Sequence, residues 1–257
     1  MKKTLSLLLV LAMLLSMALL SSCDAAFAAA AIEKADKALL EAPYKATINM
    51  NFACDDAALN KVLSAMNMEV PMVMDGENLS FTMKTPVSET GTAEILVTLV
   101  DKVIYYEATY AGQTLKMKTT LNEEQYTEFM GEASTQMPVN ATYFEKLSME
   151  TVDGKKVVTC SDLKAEGSEE LNELIADALE GMEAQATVES IDFSVTIADD
   201  KYETMDLSVT YSITVAEKTY SVTLDITMAF AYGDADPVVA PEDTSNYQEV
   251  SYEDIYG

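Results

Sequence analysis

Three runs of alternating apolar and polar residues lie between Ile191 and Phe230, in the segment IDFSVTIADDKYETMDLSVTYSITVAEKTYSVTLDITMAF. Alternation with a period of two indicates strands that bury one face. The connections at 199–200 and 216–217 leave no room for a crossover, so the three strands must be antiparallel neighbours. One side of this sheet is therefore predicted to face a hydrophobic interior, and the other, rich in Ser, Thr, Asp and Glu, to face water.

A hairpin is predicted ahead of these strands, with its turn at residues 153–154, Asp-Gly. This dipeptide is typical of a type I′ turn, because both central residues of that turn need positive φ angles. The turn pairs residues 146–152 with residues 155–161 and places Met149 opposite Val158 on one face.

The N-terminal half combines one predicted helix with a long strand and several shorter ones. Apolar residues fall at helical spacing from Ile32 to Leu40, and Pro43 ends the helix. Residues 44–54 then alternate as a half-buried strand, and residues 55–69 are predicted to be a short helix or an irregular excursion. Shorter strand patterns follow at residues 78–84, 93–100, 103–110 and 114–120.

Two further helices are predicted between the strands. Asn122 and Gln125 form the pattern of a capping box, in which each side chain accepts a bond from the backbone N–H of the other residue. Apolar residues from Leu171 to Met182 mark one face of a second helix, which begins near Ser168. The pattern therefore predicts the α+β class.

The first 22 residues are predicted to be an export signal. Two lysines precede an apolar run from Leu7 to Leu20, which is shorter than the roughly 20 residues of a transmembrane span. The next residues, Ser21-Ser22-Cys23, complete a segment that resembles the bacterial lipobox. This resemblance implies cleavage between Ser22 and Cys23, and a lipid attached to Cys23. A plain secretory signal and a retained anchor helix are the alternatives.

The predicted lipid on Cys23 implies a location as well. The mature protein would be held on the extracytoplasmic face of the cell membrane through its N-terminal lipid, because two acyl chains suffice for stable anchoring. Residues 23–31, which are rich in alanine, are predicted to be a tether between the lipid and the domain.

The composition excludes several classes of partner. The chain has 43 Asp and Glu residues against 16 Lys, with no Arg and no His, and its formal charge is −27. Nucleic acid is not an expected partner, because basic side chains must neutralise its phosphates. Because the chain has no His, it lacks the side chain that usually transfers protons near neutral pH. It also lacks the commonest nitrogen ligand of metals.

The order of these features resembles the LolA/LolB/LppX-like bacterial lipoproteins: a lipobox, a leading helix, antiparallel strands, an intervening helix and a closing run of long strands. The resemblance implies a strongly curved antiparallel β-sheet, a half-open barrel, with helices covering its concave face. It implies one domain at residues 32–232. Residues 233–257 hold seven acids, no Lys and two prolines, so we expect them to form a loosely held acidic C-terminal tail. Members carry lipids or acyl chains between sheet and helices. LolA-type carriers gate the ligand with an Arg, and this chain has none.

The apolar strand faces permit two interpretations. They either fill a core between sheet and helices or line a cavity for an apolar, lipid-like ligand. The residues predicted to line such a cavity lie on the first long strand and on the last three: Met50, Phe52, Phe193, Val195, Leu207, Val209, Leu224 and Ile226. The leading hypothesis is a non-catalytic lipoprotein that binds an apolar ligand there.

The alternative hypothesis is a structural, interaction or sensor-accessory lipoprotein. Such a protein would act through its acidic outer surface and through the tyrosines of its tail, Tyr247, Tyr252 and Tyr256. The sequence indicates no particular protein partner.

Catalytic and metal-binding motifs are weak, and we predict no catalytic residue, no metal site and no cofactor. The methionines at positions 66, 68, 72 and 74 have the spacing of Cu(I)-binding pairs, but the usual His is missing. They are predicted to pack in the core or to form a flexible loop. The acid pairs at 55–56 and 199–200 lack the spacing of a calcium loop and are predicted to be solvated turns.

Cys54 and Cys160 both lie on predicted core faces of strands. In an exported protein two such cysteines either form a disulfide or remain as two buried thiols. The sequence leaves both alternatives open.

Overall fold

The computed structural model describes residues 23–88, 91–134, 144–163, 184–215, 218–233 and 235–252. Within these ranges the protein is predominantly β, with three helices and twelve strands. The helices are α1 (Cys23–Glu41), α2 (Ala57–Ser64) and α3 (Glu123–Ser134). The strands are β1 (Tyr44–Cys54), β2 (Met68–Asp75), β3 (Asn78–Ser88), β4 (Gly91–Val100), β5 (Val103–Tyr110), β6 (Gln113–Thr120), β7 (Phe144–Val152), β8 (Lys155–Leu163), β9 (Ala184–Ala198), β10 (Lys201–Val215), β11 (Lys218–Tyr232) and β12 (Gln248–Glu249).

All twelve strands belong to one open sheet, in the order β12-β6-β5-β4-β3-β2-β1-β11-β10-β9-β8-β7. Paired strands are antiparallel except β12, which is parallel to β6. The predicted antiparallel sheet is therefore confirmed. Strand β1 pairs with β11 along its whole length, from Tyr44 opposite Tyr232 to Cys54 opposite Val222, and so joins the early strands to the late ones.

The predicted meander and hairpin are both present. Strand β10 pairs with β9 on one side and with β11 on the other, and β7 pairs with β8 in the predicted register, with Met149 opposite Val158. The hairpin turn has positive φ angles at Asp153 and Gly154, 52° and 81°, as a type I′ turn requires.

Two β-bulges interrupt the alternation of the closing strands. Strand β10 has an extra residue between Tyr202 and Thr204, and β9 has one at Glu189. An extra residue in one strand moves the side chains beyond it to the other face. For this reason the even-numbered Tyr202 and Val188 are buried together with the odd-numbered residues of the same strands.

Strand β2 is not evident from the sequence, because Pro71 interrupts its alternating pattern. The strand nevertheless pairs with β1 and β3, and Pro71 lies opposite Thr47. The region at residues 55–69 does contain the predicted short helix. This helix, α2, begins after Asp56, whose carboxylate accepts hydrogen bonds from two backbone N–H groups.

The predicted capping box opens α3. The backbone N–H of Gln125 donates to Asn122 Oδ1 at 2.9 Å, and the backbone N–H of Asn122 donates to Gln125 Oε1 at 3.0 Å. The other predicted helix, from Leu171 to Met182, lies outside the described residues.

Both ends of the domain differ from the expectation. Residues 23–31, predicted to be a tether, belong to helix α1, and Ala28 and Ala31 are buried in the core. Alanine is the strongest helix former, so the same composition suits a docked helix. The C-terminal segment, expected to be loosely held, is attached to the sheet: Tyr247 is buried, and residues 248–249 pair with β6.

Candidate ligand-binding face

The inner face is the face of the sheet that carries Met50, Phe193, Leu207 and Ile226. These four side chains lie opposite one another in a row across β9, β10, β11 and β1. The other residues predicted to line a cavity occupy the rows on either side: Phe52, Val195, Val209 and Leu224. All eight are 5% exposed or less, so they form a closely covered core in this structure.

Inner-face apolar side chains that are not fully buried lie on β2, β3, β5 and β6, and also at Ile48, Tyr211 and Phe230 of β1, β10 and β11. A single row crosses the early strands, and we call it the Tyr106 row: Ala46, Met72, Phe81, Val97, Tyr106 and Met117. Met72, Phe81 and Met117 are only half-buried, and the neighbouring Leu115 is 52% exposed. None of the residues of the Tyr106 row is among those predicted to line a cavity. The early strands are short and β2 is not evident from the sequence, so the pattern gives no signal for this row.

Methionines are concentrated on the inner face. Met72 and Met74 of β2 lie opposite Ala46 and Tyr44, and Met68 lies opposite Met50. Their thioethers follow one face of the strand and pack against the core, together with Met66. Unbranched thioether side chains adapt to irregular shapes, which suits a surface that receives apolar molecules. Among the residues with described positions, no group of acids or cysteines could hold a metal ion.

Two inner-face hydroxyls are buried without a hydrogen-bond partner within the described part of the chain, those of Tyr106 and Tyr232. Burial raises the pKa of both phenols above the ordinary value of 10.0, and the nearby Tyr44 raises that of Tyr232 further. Both groups are therefore protonated donors at neutral pH. Tyr232 belongs to an aromatic cluster with Tyr44, and Lys201 lies over its ring.

Helix α1 is fixed to the sheet by polar contacts as well as by its buried alanines. The Tyr202 hydroxyl donates to Asp36 Oδ1 at 2.6 Å. Burial raises the pKa of the Asp36 carboxyl, and the bond from Tyr202 opposes that rise. Nearby, Asp200 at the turn between β9 and β10 pairs with Lys34 at 3.4 Å and with Lys156 at 3.1 Å.

Three residues that help to attach the C-terminal segment to the outer face form what we call the C-terminal clasp: Tyr247, Glu107 and Lys116. The Tyr247 hydroxyl donates to the Glu107 carboxylate. Lys116 Nζ lies 3.1 Å from the same carboxylate and 5.1 Å from the centre of the Tyr247 ring. Tyr247, predicted to be available to a partner, is therefore engaged within the chain. Tyr252 is half-buried against the core, and Tyr256 lies outside the described residues.

The outer face of the closing strands is acidic and polar, as predicted. Asp192, Asp206 and Asp225 are exposed there and line a groove of about 360 Å³. The Ser208 hydroxyl donates to Asp225 Oδ1 at 2.6 Å. This groove and the apolar inner face share the same strands but differ in chemistry, because successive side chains of a strand point to opposite faces.

Cys54 and Cys160 are both free thiols. Cys54 lies on β1 and Cys160 on β8, and β11, β10 and β9 separate these two strands. Neighbouring strands are about 4.8 Å apart, so the two cysteines are too far apart for the ~7 Å limit of a disulfide. Cys160 is 1% exposed, and burial raises the pKa of its thiol to about 12.

The predicted lipid attachment site begins the described structure. Cys23 is the first residue of α1, and Ser22 lies outside the described residues. Within the described part of the chain, no helix has both the length and the apolar character needed to cross a membrane.

A family model matches residues 28–240, and its description is a family of unknown function, DUF6612. The match begins within α1 and ends in the C-terminal segment, so it includes the whole of the sheet except β12. No curated protein matches the chain.

Proposed function

The chain belongs to this family of unknown function, DUF6612, and we propose that it is a non-catalytic lipoprotein that binds an apolar, lipid-like ligand on the inner face of its sheet. The observation that carries the proposal is the accessible apolar surface of the Tyr106 row. Met72, Phe81 and Met117 are left half-buried there, and Leu115 is mostly exposed. Contiguous apolar surface that remains accessible typically marks a binding site.

The arrangement of helices supports the same proposal. Helix α1 packs its buried alanines on the inner-face core, and Phe129 of α3 is buried in the same core. We therefore propose a LolA/LppX-like architecture, in which the sheet curves into a half-open barrel and helices cover its concave side. The ligand would lie against the Tyr106 row on the early strands, beside the part of the inner face that α1 covers on β7, β9 and β10.

The proposed location follows from the N-terminus. A lipid on Cys23 would hold the domain at the extracytoplasmic face of the cell membrane despite its formal charge of −27. Because α1 begins at Cys23 and is docked on the sheet, the anchor would be joined to the domain by a helix rather than by a flexible tether.

Extraction followed by mass spectrometry tests ligand binding. The protein is extracted gently from its membrane, and the bound material is analysed under native and denaturing conditions. We expect an apolar molecule in stoichiometric amount. A protein that carries no such molecule, and that also fails to bind the hydrocarbon probe diphenylhexatriene, would contradict the proposal.

A pair of variants on β6 places the ligand on one face. Leu115→Glu introduces a carboxylate on the inner face at a position that is 52% exposed, so the fold tolerates it. Thr120→Glu introduces the same charge at an exposed position of the outer face. We expect Leu115→Glu to weaken diphenylhexatriene binding by about tenfold or more, because a carboxylate is costly beside an apolar ligand. Thr120→Glu should leave the affinity unchanged.

The alternative is an interaction protein that uses its acidic outer surface. It is favoured by the exposed carboxylates of Asp192, Asp206 and Asp225, whereas Tyr247 no longer supports it. The Leu115→Glu variant distinguishes the two proposals, since a partner of the outer face would bind that variant as well as the parent protein.

A further inference from the structure

The hydroxyl of Tyr106 is an unusual feature of the inner face. Tyr106 is 7% exposed, and within the described part of the chain its hydroxyl has no hydrogen-bond partner. A buried polar group without a partner loses its bonds to water and gains nothing in return. Such groups are rare in native proteins, and each needs an explanation. A phenylalanine at this position would fill the same space without that cost.

The positions next to Tyr106 on the inner face of the sheet are mostly apolar. Tyr106 lies opposite Val97 on β4 and Met117 on β6. The next inner-face positions on these strands are also apolar, apart from Thr119: Ile95, Leu99 and Leu115. Three members of the same row, Met72, Phe81 and Met117, are half-buried. Tyr106 therefore belongs to the row of the proposed ligand-binding surface, and its buried hydroxyl is the unpartnered polar atom of that row among the described residues.

We propose that the Tyr106 hydroxyl donates a hydrogen bond to a carbonyl oxygen of the bound ligand, and that this ligand is an uncharged acyl ester. The inference rests on the proposed function and specifies the chemical class of its ligand. A protonated phenol can donate its O–H proton to an acceptor oxygen of the ligand. The acyl chain packs against Met72, Phe81 and Met117. The excess of 43 acids over 16 lysines disfavours a free carboxylate, so the acceptor is the carbonyl of an ester.

Two probes of different chemistry test the inference. Diphenylhexatriene is a hydrocarbon without an acceptor, and the methyl ester of parinaric acid is a fluorescent acyl ester. In Tyr106→Phe we expect the affinity for the ester to fall about tenfold, the effect of one lost hydrogen bond in a dry site. The affinity for diphenylhexatriene should stay within about twofold, because no hydrogen bond to it is lost.

Tyr232→Phe is the matched control. It removes the other unpartnered hydroxyl of the inner face, which lies outside the Tyr106 row. Both probes should bind this variant as they bind the parent protein. Unfolding of the ligand-free Tyr106→Phe protein in urea provides a second readout, and its midpoint should equal or exceed that of the parent protein, because the lost hydroxyl has no partner among the described residues.

The outcomes separate the inference from the proposed function. If the ester binds Tyr106→Phe as tightly as the parent protein, the inference is overturned while hydrocarbon binding still supports the function. If neither probe binds the parent protein, both proposals fail. A lower urea midpoint for ligand-free Tyr106→Phe would show that the hydroxyl has a structural partner, and this also would overturn the inference.

Discussion

The Tyr202 hydroxyl donates a 2.6 Å hydrogen bond to the Asp36 carboxylate, and this bond connects strand β10 to helix α1. Tyr202 is 2% exposed, and its hydroxyl also lies 3.4 Å from the carbonyl oxygen of Ile32. The β-bulge after Tyr202 is what turns this side chain toward the helix. One irregularity of the sheet therefore positions the helix that follows the predicted lipid anchor.

Tyr202→Phe should destabilise the domain. The variant leaves the Asp36 carboxylate without its donor in a partly buried site, a loss of about 1–3 kcal/mol in the free energy of unfolding. Urea unfolding at neutral pH measures this loss. Tyr110→Phe, at a position that is 44% exposed, is the control and should change the free energy by about 0.5 kcal/mol or less. Equal stabilities of the two variants would contradict the structural role of the bond.

Asp36→Asn should stabilise the domain at neutral pH and change its pH dependence. Burial raises the pKa of Asp36 in the folded state above the ordinary 3.8, so the folded protein binds the proton more tightly than the unfolded chain does. Stability that is present at low pH is therefore lost as pH rises through the raised pKa. An Asn side chain still accepts the bond from Tyr202 but carries no charge.

Urea unfolding between pH 3 and pH 8 tests this sign. The parent protein should lose stability relative to Asp36→Asn as the pH rises, and the difference should level off near neutrality. Asp200 shows the opposite case, because its bonds to Lys156 and Lys34 lower its pKa. The stability that ionised Asp200 contributes is fully present above its ordinary pKa of 3.8. This stability is lost as the pH falls through the lowered pKa of the folded state. If the stability difference between Asp36→Asn and the parent protein instead grew toward low pH, the pKa of Asp36 would be lowered in the folded state, not raised.

Tyr247→Phe should loosen the C-terminal segment. Burial opposes ionisation of Glu107, but the bonds from Tyr247 and Lys116 outweigh it, and the pKa of Glu107 is lowered. Loss of the tyrosine hydroxyl should cost about 1–3 kcal/mol, as for other hydrogen bonds to charged groups. Amide exchange should become faster at Val250, whose N–H donates to the Lys118 carbonyl oxygen across the edge strand. Exchange that is as slow as in the parent protein would contradict the role of the clasp.

The regular strands could be predicted from the sequence, and the irregular features could not. Alternation predicted the meander and the pairing of Met149 with Val158, because a dipeptide turn fixes the register of a hairpin. The two bulges carry no signal of this kind, so Tyr202 could not be placed on the inner face. Strand β2 was hidden by Pro71, which breaks the pattern of a strand although β1 and β3 hold it in the sheet.

The residues of the candidate site also divide into those that the sequence predicts and those that it does not. The predicted cavity residues, such as Phe193 and Leu207, lie on the longest strands, where the apolar signal is strongest. These strands also have the best-covered faces, because long apolar strands form the centre of a core. The half-buried part of the Tyr106 row lies on shorter strands. The polar atom of this row, the Tyr106 hydroxyl, is identified by the lack of a hydrogen-bond partner among the described residues, which no sequence pattern predicts.

Core and binding residues of the inner face should respond differently to truncation. Leu207→Ala removes a side chain that is 2% exposed, and should cost about 2–5 kcal/mol in the free energy of unfolding. Met117→Ala alters a half-buried side chain, so the stability loss should be smaller. Diphenylhexatriene affinity should show the reverse order, with the larger loss in Met117→Ala. Comparable affinities of the two variants, measured below their unfolding midpoints, would mean that the Tyr106 row does not contact the probe.

Cys23→Ala tests the proposed anchor. In the proposal Cys23 accepts the lipid, so the variant should be released to the medium or remain as unprocessed precursor. Each buried methylene of the missing acyl chains contributes about 0.8 kcal/mol to membrane binding, and a chain with 43 acids against 16 lysines is repelled by anionic lipid. Fractionation and mass measurement of the mature N-terminus check the outcome. Cys54→Ala is the matched control and should be processed and retained normally, because Cys54 lies within β1. Normal processing and membrane retention of Cys23→Ala would contradict lipid attachment at this residue.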